Sequence, residues 1–139
     1  MTRTSQLVRN SHCVYNLKYH LVLVTKYRRK CLNIQMINKL QAICTNVCSQ
    51  WPSALLEFGA EHDHMHLLLD LNPNVTPSKF INNLKTITSR LLRRDFEQHL
   101  KKYYWKNVLW TRSYCLITAG GAPLSVLKQY IQNQQSTKT

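Results

Sequence analysis

Glu61-His62-Asp63-His64-Met65-His66-Leu67-Leu68-Leu69-Asp70, read as EHDHMHLLLD, is the stretch whose reading decides the fold. Histidine occupies every second position and then gives way to leucine. In an extended strand successive side chains point to opposite faces, so His62, His64 and His66 share one face and Met65, Leu67 and Leu69 the other. The leucine face needs helices packed on it, and this turns the imidazoles toward the face the helices leave open. The chain has six histidines, and this segment takes three of them. Imidazoles two residues apart on a strand are close enough to hold one cation together, although a solvated strand face produces the same pattern.

Upstream, VYNLKYHLVLVT (Val14–Thr25) alternates. Tyr15, Leu17, Tyr19, Leu21 and Leu23 point one way, and Asn16, Lys18 and His20 the other, which reads as a strand. KYRRK (Lys26–Lys30) is a basic connector. From Asn33, a helix N-cap, Ile34, Ile37, Leu40, Cys44 and Val47 recur at helical spacing until Pro52. Two short strands follow, Ala54–Ala60 and His62–Leu71, with Gly59 near their turn. A second helix starts with Thr76 as N-cap and Pro77 at its first position. Its apolar stripe is Phe80, Leu84, Ile87 and Leu91, and Lys79, Lys85, Arg90, Arg93 and Arg94 supply much of its polar surface. HLKKYYWKN then leads to a strand over Leu109–Ala119, and Gly120-Gly121 breaks the chain before a last helix opened by Pro123. The order β-α-β-β-α-β plus a terminal helix predicts an α+β, ferredoxin-like fold. Its one antiparallel sheet carries two helices on one face. Residues 1–139 read as one domain, with 122–135 as a C-terminal helix for which the glycine pair is either a hinge or an ordinary strand-to-helix turn.

The 139 residues carry 19 Lys and Arg against 6 Asp and Glu, a net charge of +13. Such an excess attracts a polyanion, nucleic acid or an anionic membrane. No apolar run approaches the ~20 residues of a membrane span, and the polar start MTRTSQLVRN has no signal-peptide core behind it. Nucleic acid is the better partner. The 5 cysteines include no C-x-x-C pair, which argues against a disulfide framework or a zinc ribbon and for a reducing, cytoplasmic setting.

In the tail helix Tyr130 and Gln134 stand one turn apart on the same side, beside an apolar stripe of Leu124, Leu127 and Ile131. A tyrosine oxygen is a competent nucleophile toward phosphorus, and a glutamine carbonyl is a hard oxygen ligand. With YHLVLVTKYRRK, DHMHLLLDL, LWTRSYCLITAGGAP and VLKQYIQNQ in this order, the chain resembles the single-tyrosine HUH transposases of bacterial insertion sequences, of the TnpA, insertion sequence 200/605-like type, over nearly its whole length. The His-hydrophobic-His motif is His64-Met65-His66, and the Tyr-x-x-x-Gln spacing is Tyr130 and Gln134. The resemblance implies that His64, His66 and Gln134 hold a divalent ion, Mg²⁺ or Mn²⁺. It implies too that Tyr130 attacks a phosphate of single-stranded DNA, leaving a 5′-phosphotyrosine and a free 3′-hydroxyl. It further implies a homodimer whose active sites can be shared between subunits, and DNA with hairpin ends as substrate.

Lys26, Arg28, Arg29, Lys30, Lys85, Arg90, Arg93 and Arg94 are candidate phosphate contacts, and Tyr103, Tyr104 and Trp105 candidate stacking surfaces. Three other readings compete. One is a non-catalytic nucleic-acid module of ferredoxin-like fold, which lacks the glycine-aromatic strand signature of RNA-recognition motifs. Another is a domesticated, repeat-associated nuclease with the same chemistry. The third is a zinc hydrolase, for which a further ligand at helix spacing is missing. His62 and Asp70 stay outside the candidate site.

Overall fold

The structure, a computed structural model, describes residues 8–9, 14–120 and 124–134. The element order along the chain is β1 (Val8–Arg9), β2 (Val14–Tyr15), β3 (Lys18–Val24), α1 (Ile34–Gln50), β4 (Ala54–Glu61), β5 (His64–Asp70), α2 (Pro77–Asp95), α3 (Glu97–Leu100), β6 (Cys115–Thr118) and α4 (Leu124–Asn133). Four strands form an antiparallel sheet in the order β4-β5-β3-β6. Since β5 is antiparallel to both its neighbours, β3 and β4 run parallel with β5 inserted between them. This is the split β-α-β arrangement predicted from the sequence.

Alternation fixes which face is which. Leu21 and Leu23 of β3 and Met65, Leu67 and Leu69 of β5 are buried against α1 and α2. Here α1 contributes Met36, Leu40, Ile43, Cys44, Val47 and Cys48, and α2 contributes Phe80, Ile81, Leu84, Thr88 and Leu92. Two indole N–H groups lock this layer: Trp51 Nε1 donates to Asn83 Oδ1 at 3.0 Å and Trp110 Nε1 to Thr88 Oγ1 at 2.9 Å. Burial of such donors requires partners, and both have one. On the opposite face Val22, Val24 and Leu127 form a smaller cluster, joined by Cys115, Ile117, Tyr130 and Ile131. The face expected to be open is thus partly covered by α4.

Local geometry departs from the expected boundaries in five places. The first strand is interrupted at Asn16-Leu17, because Val14–Tyr15 pairs with Val8–Arg9 while the ladder to β5 begins at Lys18 opposite Asp70. The hairpin turn falls at His62-Asp63 rather than near Gly59, which pairs with His66 inside β4. Outside contacts hold that turn in place: Leu32 N donates to His62 O at 3.0 Å and Thr25 N to Asp63 O at 2.9 Å. The strand expected over Leu109–Ala119 survives only as Cys115–Thr118, with an isolated bridge from Trp110 to Thr25. Between them the chain leaves the sheet, its Thr111 and Arg112 carbonyls accepting from Lys85 Nζ at 2.8 and 2.9 Å. On α1, Ile34 is exposed and Met36 takes the first core position. Asn33 does cap α1, its side chain accepting from Met36 N at 2.9 Å, whereas Thr76 precedes α2 without a side-chain cap bond. Gly121 and Pro123 lie outside the described residues, and Gly120 has φ +85°, a conformation suited to glycine.

Candidate active site

His64 and His66 stand side by side on the face of β5 away from α1 and α2, opposite Val24 and Val22 of β3. They line a cavity of about 560 Å³ together with Asp63, Arg28, Lys30, His62 and, from α4, Leu124, Leu127, Lys128, Ile131 and Gln132. Each imidazole has a partner that sets its tautomer or ring orientation. His64 Nδ1 lies 2.8 Å from Asp63 Oδ1 and donates to it. Asp63 Oδ2 in turn accepts from Arg28 Nε at 3.2 Å. Burial pushes the Asp63 carboxyl up, but the hydrogen bonds from His64 and Arg28 outweigh it and hold the group below its usual range. His66 Nε2 lies 2.9 Å from His20 Nδ1, and the two rings stack with centroids 5.1 Å apart. Burial, then the neighbouring His20, lowers the pKa of His66 and keeps it neutral, the form in which an imidazole ligates a cation.

This donor set fits a divalent ion in part. Two neutral-capable imidazoles, one anchored through a carboxylate, are what a metal site needs from its histidines. Among the described residues no third His, Cys, Asp or Glu completes a ligand group. In the same cavity Glu61 Oε2 lies 3.6 Å from His64 Nε2, and the Gln134 amide donates from Nε2 to Tyr130 O at 3.4 Å. Tyr130 is likewise not part of the cavity lining; its Oη lies 2.8 Å from Ser113 Oγ. Within one chain His64 and His66 thus stand together, while the Tyr130 hydroxyl and the Gln134 amide have partners other than the histidines.

The predicted phosphate contacts divide. Arg28 and Lys30 line the histidine cavity. Arg29 Nη1 donates to Tyr103 O at 3.1 Å, and Lys26 lies over the Tyr27 ring. Lys85 is spent on the Thr111 and Arg112 carbonyls, and burial, then the nearby Lys26 and Arg112 charges, lowers its pKa. Arg90, Arg93 and Arg94 line a different cavity. Of the rival phenols, Tyr104 donates to Lys26 O at 2.6 Å, and burial raises its pKa, so it is a poor nucleophile. Asp70 is buried at the far end of β5, 3.9 Å from Lys18. His62 is exposed in the hairpin turn, its Nδ1 bonded to Leu32 O at 2.9 Å.

Sequence reasoning missed His20, Asp63 and Ser113. His20 had been placed on the correct side of its strand. Only the register, which sets β3 against β5, could have brought it to His66.

The split β-α-β sheet thus carries paired imidazoles on the face opposite its two helices, with the tyrosine-bearing helix docked on the same face. The sequence profile described as "Transposase IS200 like" matches residues 13–134. The chain is 31% identical over 121 residues to the ISDra2 transposase TnpA of Deinococcus radiodurans, covering 87% of this chain and 86% of that one. It is equally 31% identical over 124 residues to the transposase for insertion sequence element IS200 of Salmonella typhimurium, covering 89% of this chain and 80% of that one. Its structure superimposes on the crystal structure of a proposed transposase from Deinococcus radiodurans R1 with TM-score 0.85 at 32% identity, over 94% of this chain and 99% of that one. A REP-associated tyrosine transposase bound to a REP hairpin shares the fold at TM-score 0.52 and 12% identity, over 91% of this chain and 69% of that one. The chain belongs to the IS200-like transposase family. Among the described residues no helix is long and apolar enough to cross a membrane.

Proposed function

We propose that this chain cleaves and rejoins single-stranded DNA at insertion-sequence ends in the cytoplasm, with Tyr130 as nucleophile and a divalent ion, Mg²⁺ or Mn²⁺, held by His64, His66 and Gln134. The observation that carries the reading is the pair His64 and His66, oriented by Asp63 and His20, beneath the helix that bears Tyr130. Bound there, the ion would supply Lewis-acid polarisation of a phosphoryl oxygen. The Tyr130 oxygen forms a bond to phosphorus and loses its proton, the P–O3′ bond breaks, and the 3′-oxygen leaves as a hydroxyl. The product is a 5′-phosphotyrosine, and attack by a 3′-hydroxyl on it reverses the step. One ester replaces another, so no nucleoside triphosphate is consumed. Arg28 and Lys30, at the cavity rim, and Arg29 beside them provide positive charge for the approaching strand.

The engagement of Tyr130 with Ser113 and of the Gln134 amide with Tyr130 O, rather than with the histidines, supports a homodimer in which α4 of one subunit completes the site of the other. Its single buried residue, Leu127, is a small anchor to exchange. Hairpin DNA is the proposed substrate, extending to this chain what the fold-mate binds.

The test is incubation of labelled single-stranded DNA from the element's flanks with the protein and Mg²⁺. A covalent adduct is expected that maps to Tyr130, disappears in Tyr130→Phe without loss of folding, and is abolished by His64→Ala or His66→Ala while DNA binding survives. Mixing a Tyr130→Phe subunit with one lacking both histidines should restore some activity. An adduct on Tyr103, Tyr104 or Tyr114, or cleavage undiminished in excess chelator, would refute the assignment.

A further inference from the structure

We infer that the cavity at the C-terminal end of α2 is a second contact for single-stranded DNA, where one unpaired base stacks on Trp105 and neighbouring cations hold its flanking phosphates. The inference rests on the DNA reading above. The cavity, of about 350 Å³, lies among α2, α3 and the segment 101–108, and takes no residue from the histidine cavity.

Trp105 in its lining is 96% exposed. An indole is a large apolar group normally well covered in a folded chain, so leaving it bare needs an account. Its neighbours on the chain are pinned. Tyr104 is buried with Oη on Lys26 O at 2.6 Å, and the Tyr103 carbonyl is held by Arg29 Nη1 at 3.1 Å. The backbone is thus fixed while the ring faces solvent, which is the geometry of a platform.

The surroundings are cationic. Arg90, Arg93 and Lys106 share the lining, and among the described residues none of the three forms an ion pair with a carboxylate. The other two basic residues there are partly neutralised, Arg94 by Asp95 at 2.7 Å and Lys101 by Glu97 at 3.2 Å. A flat π-face among unpaired cations suits a nucleobase with phosphates on either side, and suits an apolar protein partner poorly. Duplex DNA hides its base faces, so the occupant is a single strand. The basic turn joins the two cavities: Arg28 lines the histidine cavity, while Lys26 and Arg29 grip Tyr104 and Tyr103 beside the other. A strand leaving the histidines over this turn would reach Trp105.

The experiment follows tryptophan fluorescence during titration with oligothymidylate of about 20 nucleotides, a sequence-neutral probe. Wild-type fluorescence should be quenched. Trp105→Ala should lose most of the quenching and bind about 5- to 150-fold more weakly, whereas Trp105→Phe keeps most of the affinity. A blunt duplex should bind both within about twofold. So exposed a residue carries no core packing, and circular dichroism will confirm that the variants fold. Equal affinity of Trp105→Ala for the single strand would overturn the proposal. So would a Trp105→Ala protein that binds DNA normally but no longer self-associates in sedimentation, which would make the cavity a contact between copies. A wild-type chain that forms no tyrosine adduct yet shows Trp105-dependent quenching would refute the catalytic reading and leave this site standing; the converse result would do the opposite.

Discussion

Asp63 occupies the turn of the β4-β5 hairpin and has two tasks. Its carboxylate receives His64 Nδ1 at 2.8 Å on one oxygen and Arg28 Nε at 3.2 Å on the other. Partners of this kind fix ring orientation and typically change metal affinity 10- to 100-fold. Asp63→Asn is therefore expected to weaken Mn²⁺ binding by about that factor, measured by calorimetry, with His64 and His66 both intact. Unchanged affinity would remove Asp63 from the site. Because its folded pKa is depressed, the carboxylate's contribution to stability is present above the unfolded value, about pH 4, and is lost as pH falls through the lower folded value. At this scale the sequence was half legible. The period-two pattern grouped His62, His64 and His66 within one strand, and the resemblance to HUH transposases picked out the last two. His20, Asp63 and Ser113 join the site's residues through contacts between segments distant in sequence or across a turn, and a single-strand pattern carries no such information.

The short turn after β3 is the element that carries Arg28 to Asp63. Tyr27 and Arg28 both have positive φ, 58° and 54°, a left-handed conformation that costs an L-residue roughly 1–2 kcal/mol. Neither residue is glycine, and the strain is retained beside the candidate site. This yields an inverted order of stability. Arg28→Ala and Arg28→Gly both lose the ion pair, yet the glycine variant should be the more stable by about 1 kcal/mol, a melting temperature higher by ~2–8 °C. An alanine variant melting at or above the glycine variant would mean that this turn is unstrained in solution. KYRRK was legible as a basic connector, but its left-handed backbone was not, since nothing in its composition requires positive φ. Element ends misread for a similar reason. The hairpin turn sits at His62-Asp63 because Leu32 and Thr25 bond its carbonyls from outside, overriding the pull of Gly59.

For the molecule as a whole, the single antiparallel sheet and the placement of both long helices on the leucine face were legible, because strand and helix periodicities each leave one apolar face. The role of α4 was not. Its stripe predicted docking, but whether it docks on its own sheet or a partner's depends on loop geometry that the sequence does not encode by pattern. Part of the positive excess behind the charge of +13 lines the two cavities and the turn between them. Affinity for a single strand should fall with salt at a slope near −0.7 per neutralised phosphate. Replacing Arg90 and Arg93 together should flatten that slope by about 1 to 1.5, read from binding at several salt concentrations. An unchanged slope would place the bound strand elsewhere.

The unequal burial of the helices has a consequence for hydrogen exchange. Helix α1 sinks six side chains into the main core, whereas the described part of α4 sinks only Leu127. Amides of α1 can exchange only when the whole domain opens, so their protection should track global stability and fall steeply with denaturant. Those of α4 need only the helix to lift from β3, which exposes little surface, so their exchange should be faster and nearly indifferent to denaturant. The chain would then behave as two cooperative units of unequal size, a durable sheet-and-helix body and a short arm released without disturbing it. Deuterium uptake at matched rates in both helices would show that arm and body open together.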